Sequence, residues 1–114
     1  MIDATPLLKV YAALRRKHLA RLDPAACQRR LLLRLIARAR ATRFGLDHRF
    51  DTITSVEAFQ AQVPISRYED LWQRYWQPAF PRLENCTWPG TIPYFAVTSG
   101  TTTGVTKYIP CSSA

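Results

Sequence analysis

The sequence predicts an α+β chain, a mostly helical N-terminal region followed by one β-hairpin. Three observations carry this expectation. The pairs Thr5-Pro6 and Asp23-Pro24 open stretches whose apolar residues recur at helical spacing. Residues 78–93 hold four prolines and a glycine, which breaks that periodicity. Two short runs rich in aromatic and β-branched residues follow, and they flank a segment made of Ser, Thr and Gly.

The first helix is expected from Thr5 to about Leu22. Proline is well placed at the first helical position, because its missing N–H would have no intrahelical partner there. Leu7, Val10, Tyr11 and Leu14 fall on one face. Asp23 with Pro24 repeats the start signal, and Gly45 is the expected stop of this second helix. Within it, Cys27, Leu31, Leu35 and Ala39 recur at i+4 as an apolar stripe, with Arg30, Arg34 and Arg38 one position away. Thr54 with Glu57 fits a capping box for a short third helix carrying Phe59. Ser66 with Glu69 fits another for a fourth carrying Leu71, Trp72 and Tyr75, ended by Pro78 and Pro81. The expected division is a helical region over 1–77, an ordered connection over 78–93 and a hairpin over 94–110. Its strands are Tyr94 to Thr98 and Thr106 to Ile109, the second closed by Pro110.

Charge is uneven. Of the net +8, residues 1–50 carry twelve basic and three acidic side chains, and residues 51–114 carry four basic and five acidic ones. A basic half of this kind suits an arginine-rich solvated helix face, and it also suits a small module binding nucleic acid or an anionic surface. Leu31-Leu-Leu-Arg-Leu-Ile is apolar but broken by arginine, well short of the ~20 residues that span a membrane. The start Met-Ile-Asp lacks a basic n-region and apolar core, and Asp3 and Asp23 oppose a transit peptide. Three widely spaced cysteines, Cys27, Cys86 and Cys111, form no Cys-x-x-Cys pair, and His18 and His48 are not at ligand spacing to them. Free thiols in a cytoplasmic protein are expected, with no disulfide framework and no metal site.

The densest chemistry lies in Thr98-Ser-Gly-Thr-Thr-Thr-Gly-Val-Thr-Lys107. Glycines let backbone N–H groups turn toward an anion, hydroxyls donate to phosphate oxygens, and lysine adds a point charge. A Walker loop needs four residues between its glycines and a lysine directly after the second. Here Gly100 and Gly104 are separated by three residues, and Lys107 lies three beyond Gly104. The flanks read as strands, so phosphate would sit in a hairpin tip. Ser, Thr and Gly are also ordinary turn formers, and Lys107 also fits a solvated strand position. Trp72, Tyr75 and Trp76 could stack on bases, but at helical spacing they suit a core. Glu69 and Asp70 could pair as acid and base, although capping explains them more simply. His48 could act as a base, but beside a glycine it suits packing better.

The loop resembles the phosphate-binding motif of the adenylate-forming superfamily, roughly Ser/Thr-Ser/Thr-Gly-Ser/Thr-Ser/Thr-x-Gly-x-x-Lys. Thr98, Ser99, Gly100, Thr101, Thr102, Gly104 and Lys107 fill its fixed positions. Upstream blocks narrow the resemblance: Thr42-Arg-Phe-Gly-Leu-Asp-His48, Phe59, and Val63-Pro-Ile-Ser-Arg-Tyr-Glu-Asp70, followed by Lys107-Tyr-Ile-Pro110. Together they resemble the N-terminal region of the Gretchen Hagen (auxin-responsive) acyl acid–amido synthetase family.

The resemblance implies that residues 1–114 are the N-terminal part of a larger α/β adenylate-forming domain. It implies an ATP- and Mg²⁺-dependent ligase that joins a carboxylic acid to an amino acid or amine through an acyl-adenylate. The seven loop residues would bind the nucleotide, with no catalytic nucleophile and no metal ligand among these residues. Family members are several times longer, so the 114-residue chain is expected to be a fragment, not catalytic by itself. The competing reading is the small basic helical module, although nucleic acid is not the expected partner.

Overall fold

The computed structural model describes residues 3–98 and 104–113. Residues 1–31 and 32–114 cluster as two units. In the first, α1 runs from Thr5 to Ala20. The Thr5 N–H donates to Asp3 Oδ1 at 2.9 Å, which satisfies one of the N–H groups a helix start leaves open. α1 has no buried residue, and Leu7, Val10, Tyr11 and Leu14 are all exposed.

α2 spans Pro24–Ala39. Asp23 caps it, its Oδ1 accepting the Ala26 N–H at 3.1 Å. Its buried residues are Ile36 and Ala39, with Leu32 and Leu33 half-buried beside them. This corrects the predicted stripe, because Leu31 and Leu35 are 47% and 42% exposed. The reason is geometric. A strict i+4 row drifts around the helix by ~40° per step, whereas a core face alternates i+3 with i+4.

Gly45 does not stop α2, a second correction. α2 ends at Ala39, and a separate short helix, α3, spans Arg43–Asp47 with Gly45 buried inside it. Thr42 is the cap, with extended backbone and its Oγ1 accepting the Gly45 N–H at 3.0 Å. The same hydroxyl donates to the Ala39 carbonyl at 2.7 Å, tying the end of α2 to the start of α3. The Arg43 and Phe44 N–H groups donate to the carbonyls of Asn85 and Cys86, both at 2.9 Å, and Leu46 N–H to the Thr42 carbonyl at 2.9 Å. All four opening N–H groups of α3 are therefore satisfied. Gly45 is required by close approach, since a Cβ there would collide with the Ala39 carbonyl oxygen.

A 3₁₀ turn at Phe50–Thr52 leads to α4, Val56–Gln62. Its cap is Ser55, whose Oγ accepts the Ala58 N–H at 3.1 Å, and not Thr54 as the Thr54/Glu57 spacing suggested. α5, Tyr68–Leu71, shows the same one-residue shift. The Arg67 N–H donates to Asp70 Oδ2 at 2.9 Å, while the Ser66 hydroxyl turns back to the Pro64 carbonyl. In both cases adjacent polar residues offer two spacings, and the residue that turns extended just before the helix takes the cap. A π-helical turn, Trp72–Trp76, continues α5 and buries Tyr75 and Trp76.

Two apolar clusters form the core of this unit. One gathers Tyr75, Trp76, Leu83, Cys86 and Ile92; the other gathers Ile36, Ala39, Phe50 and Ile53. Phe44 and Trp88 pack against both. The connection is ordered, as its prolines suggested. Leu83 and Ile92 are joined by a backbone hydrogen bond of 2.9 Å, and Leu83 is fully buried. Asn85, at φ 47°, and Gly90, at φ 82°, close the turn between them, with the Gly90 N–H on Asn85 Oδ1 at 2.7 Å.

The chain finishes in an antiparallel hairpin, β1 Tyr94–Val97 and β2 Tyr108–Cys111. The register pairs Tyr94 with Cys111, Phe95 with Pro110, Ala96 with Ile109 and Val97 with Tyr108. Pro110 thus lies within β2 instead of closing it, the third correction, and Thr106 and Lys107 precede the strand. Both strands of a two-stranded sheet are edges, and an edge tolerates proline's missing donor.

The Thr42 hinge makes a prediction. Thr42→Ala removes the cap and leaves the Gly45 N–H unpaired in a buried position, and it is expected to cost about 1–2 kcal/mol. Gly45→Ala is expected to cost more, because the backbone of α2 must move. Urea unfolding checks both, through a lowered midpoint at unchanged slope.

Candidate functional site

The hairpin loop is tied at its neck. The Thr98 N–H donates to the Lys107 carbonyl at 3.1 Å, and the Lys107 N–H donates to Thr98 Oγ1 at 3.2 Å. Thr98 therefore uses its hydroxyl oxygen to close the loop. Gly104 sits at φ 69°, in the left-handed region that glycine favours, with open space where a Cβ would stand. Its constraint is backbone conformation and not crowding. The other predicted nucleotide-binding residues, Ser99, Gly100, Thr101 and Thr102, lie outside the described residues.

Lys107 is held from below. Its Nζ is 2.8 Å from Glu69 Oε1 and 4.8 Å from the centroid of the Tyr68 ring. The lysine side chain is 31% exposed and the glutamate 58%. The hydrogen bond from Lys107 draws the Glu69 carboxyl below its usual range. Tyr68 is bonded to the strand as well. Its hydroxyl accepts the Tyr108 N–H at 2.9 Å and donates to the Tyr108 carbonyl at 3.3 Å. Tyr68, Trp72 and Tyr108 form a stacked aromatic column, with centroid spacings of 6.0 Å on either side of Trp72. These residues, with Glu69, Gln73 and the strand-side segment Val105–Lys107, line a cavity of about 310 Å³ beside the loop.

Sequence reasoning placed Glu69 in a cap and gave Tyr68 no role. The structure gives the cap to Asp70 and brings Tyr68 and Glu69 to the loop neck instead. One signal pointed to them. They stand in the Val-Pro-Ile-x-x-Tyr-Glu block that accompanies the loop in the family resemblance.

The remaining candidates serve packing. His48 Nδ1 lies 2.9 Å from the Phe44 carbonyl, and its ring rests 4.2 Å from that of Phe44. Tyr75 and Trp76 are core residues and Trp72 packs against them, so the base-stacking reading of these three is not needed. The Tyr75 hydroxyl donates to Asp47 Oδ2 at 2.9 Å, and Arg43 and Arg74 lie over its ring at 5.6 and 5.4 Å. Burial and the bond to Asp47 push the phenol upward. Arg38 lies 5.3 Å over Trp88. Part of the arginine excess thus works within the fold, as cations on aromatic faces.

Comparison with known proteins identifies the family. The profile described as the GH3 family N-terminal domain matches residues 13–114. The chain belongs to the GH3 family, the acyl acid amido synthetases. No curated protein and no solved structure gave a match. No helix among the described residues is long and apolar enough to cross a membrane.

Two predictions follow from the neck. Tyr68→Phe removes the partner of the Tyr108 N–H while keeping the ring. Amide hydrogen exchange at Tyr108 is expected to quicken several-fold, corresponding to about 0.5–1.5 kcal/mol. The second concerns pH. The fold favours ionised Glu69, so the pair's contribution is complete above the ordinary glutamate pKa and is lost as pH falls through the lowered one. An NMR titration of the Glu69 carboxyl carbon is expected to show a midpoint below that of free glutamate. In Lys107→Met the midpoint is expected to return toward the ordinary value.

Proposed function

We propose that residues 98–107 cradle the polyphosphate of ATP in an amide-forming ligase, and that this chain is the N-terminal part of its adenylate-forming domain. Residues 1–77 then supply the helical scaffold, 78–93 the connection and 94–110 the phosphate hairpin. The proposed reaction has two halves. A carboxylate attacks the α-phosphate, giving an acyl-adenylate and pyrophosphate. The amine of an amino acid or related compound then attacks the activated carbonyl, forming an amide and releasing AMP. The activity is that of the complete cytoplasmic enzyme.

The observation that supports this reading best is the tied neck, with Gly104 at positive φ and the Lys107 ammonium held beside the same loop. Closing the neck through Thr98 fixes where the loop begins and ends. Ends fixed at Thr98 and Lys107 lower the entropy that anion binding must overcome. Lys107 supplies positive charge where pyrophosphate departs. Backbone N–H groups near Gly104 can turn outward because that glycine tolerates the left-handed region. The donors left at the neck are the Thr98 hydroxyl hydrogen and the Lys107 ammonium, which suit phosphate oxygens and not a bare cation. Mg²⁺ therefore fits as an ion carried on the nucleotide, and it would supply charge neutralisation there.

Lys107→Ala in a synthetase carrying this domain tests the proposal. Carboxylate-dependent ATP–pyrophosphate exchange is expected to fall by roughly 10²-fold in kcat/KM, the scale of one lost charge-stabilising donor. Exchange at the parental rate would refute phosphate binding by this loop.

A further inference from the structure

The structure places Tyr68 and Glu69 against two adjacent residues of the hairpin, Lys107 and Tyr108. We propose that Glu69 is a positioning residue for Lys107, with Tyr68 fixing the strand from which that lysine projects. This inference rests on the reading of the loop as a phosphate site.

Lysine is a flexible four-carbon stem ending in a strongly hydrated charge. Left free, it samples many rotamers, and ordering it on nucleotide binding costs side-chain entropy. Three contacts reduce that freedom here. The Lys107 backbone N–H is held by Thr98 Oγ1 at 3.2 Å. The ammonium lies over the Tyr68 ring at 4.8 Å and against Glu69 Oε1 at 2.8 Å. A single carboxylate contact engages one of the three ammonium N–H groups, so donors remain for phosphate oxygens. Tyr68 secures the next residue, its hydroxyl bonding both backbone groups of Tyr108. Adjacent residues of α5 thus grip adjacent residues of the hairpin, 107 and 108. Neither Tyr68 nor Glu69 need touch the nucleotide for this to matter.

The α5 start bears on the arrangement. Asp70, the next residue, caps the helix through the Arg67 N–H at 2.9 Å, which frees Glu69 from capping and points it at the hairpin. The one-residue shift of the cap from Glu69 to Asp70 is therefore what makes Glu69 available.

The test is a double-mutant cycle in the complete synthetase, read as KM for Mg-ATP against kcat. Glu69→Ala is expected to raise KM for ATP about two- to fivefold, the scale of an exposed ion pair, with kcat little changed. Glu69→Gln keeps an oxygen at the same reach and is expected to recover part of the loss. In a Lys107→Ala background, Glu69→Ala is expected to have no further effect, because its partner is gone. Thermal unfolding of each variant shows whether the fold is retained. If Lys107→Ala impairs ATP use but Glu69→Ala does nothing, or its effect adds in full to that of Lys107→Ala, the positioning role is overturned and the phosphate loop stands. If Lys107→Ala leaves ATP use unchanged, the phosphate reading fails and this inference falls with it.

Discussion

The four opening N–H groups of α3 decide how the second unit is assembled. A five-residue helix contributes little stability of its own, since nucleation is costly and few intrahelical bonds repay it. What holds it is the satisfaction of its N-terminus from two directions. Thr42 takes two of the groups, and the carbonyls of Asn85 and Cys86 take the other two. This ties the end of α2 to the start of α3, and α3 to a segment forty-two residues later. Phe44, carried on α3, then packs against both apolar clusters, and Trp88, carried on the connection, does the same. The two clusters are coupled because the backbone clamp brings those two side chains between them.

The clamp also bears on the site. Cys86 follows Asn85 and donates its thiol to the Tyr75 carbonyl at 2.8 Å, inside the π turn that continues α5. Trp76 Nε1 donates to Thr87 Oγ1 at 3.1 Å in the same region. The connection is thus bonded to α3 on one side and to the α5 extension on the other. α5 in turn holds the hairpin through Tyr68 and Glu69. Bonds between Phe44 and Cys86, Cys86 and Tyr75, and Lys107 and Glu69 join segments distant in sequence, and short stretches of chain link them from Thr42 to Lys107. Such a path explains how an exposed two-stranded hairpin, marginal alone, is kept in place.

Much of this architecture was legible, and the misses have physical causes. The helix starts at Pro6 and Pro24 were readable because a proline with an acidic or hydroxyl neighbour has few other uses. The ordered connection was readable from its prolines. Gly45 was misread because glycine has two unrelated functions, tolerance of positive φ and tolerance of close approach, and sequence does not distinguish them. Caps slipped by one residue where Thr54 and Ser55, or Ser66 and Arg67, stand side by side. Pro110 was misread because a strand's position in a sheet is a tertiary fact. The family could be read from the loop together with its upstream blocks, as the match over residues 13–114 agrees. Of the candidate site, Thr98 and Lys107 close the neck of the loop and Gly104 has positive φ. The partnership of Lys107 with Glu69 was hidden, since thirty-eight residues separate them and a nearer capping role seemed sufficient.

A carboxylate beside a proposed polyphosphate site looks unfavourable at first, and magnitude resolves the difficulty. With the glutamate side chain 58% exposed and the lysine 31%, the pair is a weak one, because water screens both partners. The same screening weakens the repulsion between Glu69 and a phosphate farther out. A buried pair would be different, because breaking it costs about 3–5 kcal/mol and the lysine would be committed to its partner. Partial exposure puts the Glu69 contact at the strength that narrows the rotamers of Lys107 without immobilising its charge. A polyphosphate carries several negative charges, so it competes easily for the remaining ammonium donors while the stem stays against Tyr68. The exposure of Glu69 is therefore what makes a carboxylate compatible with the proposed anion-binding loop.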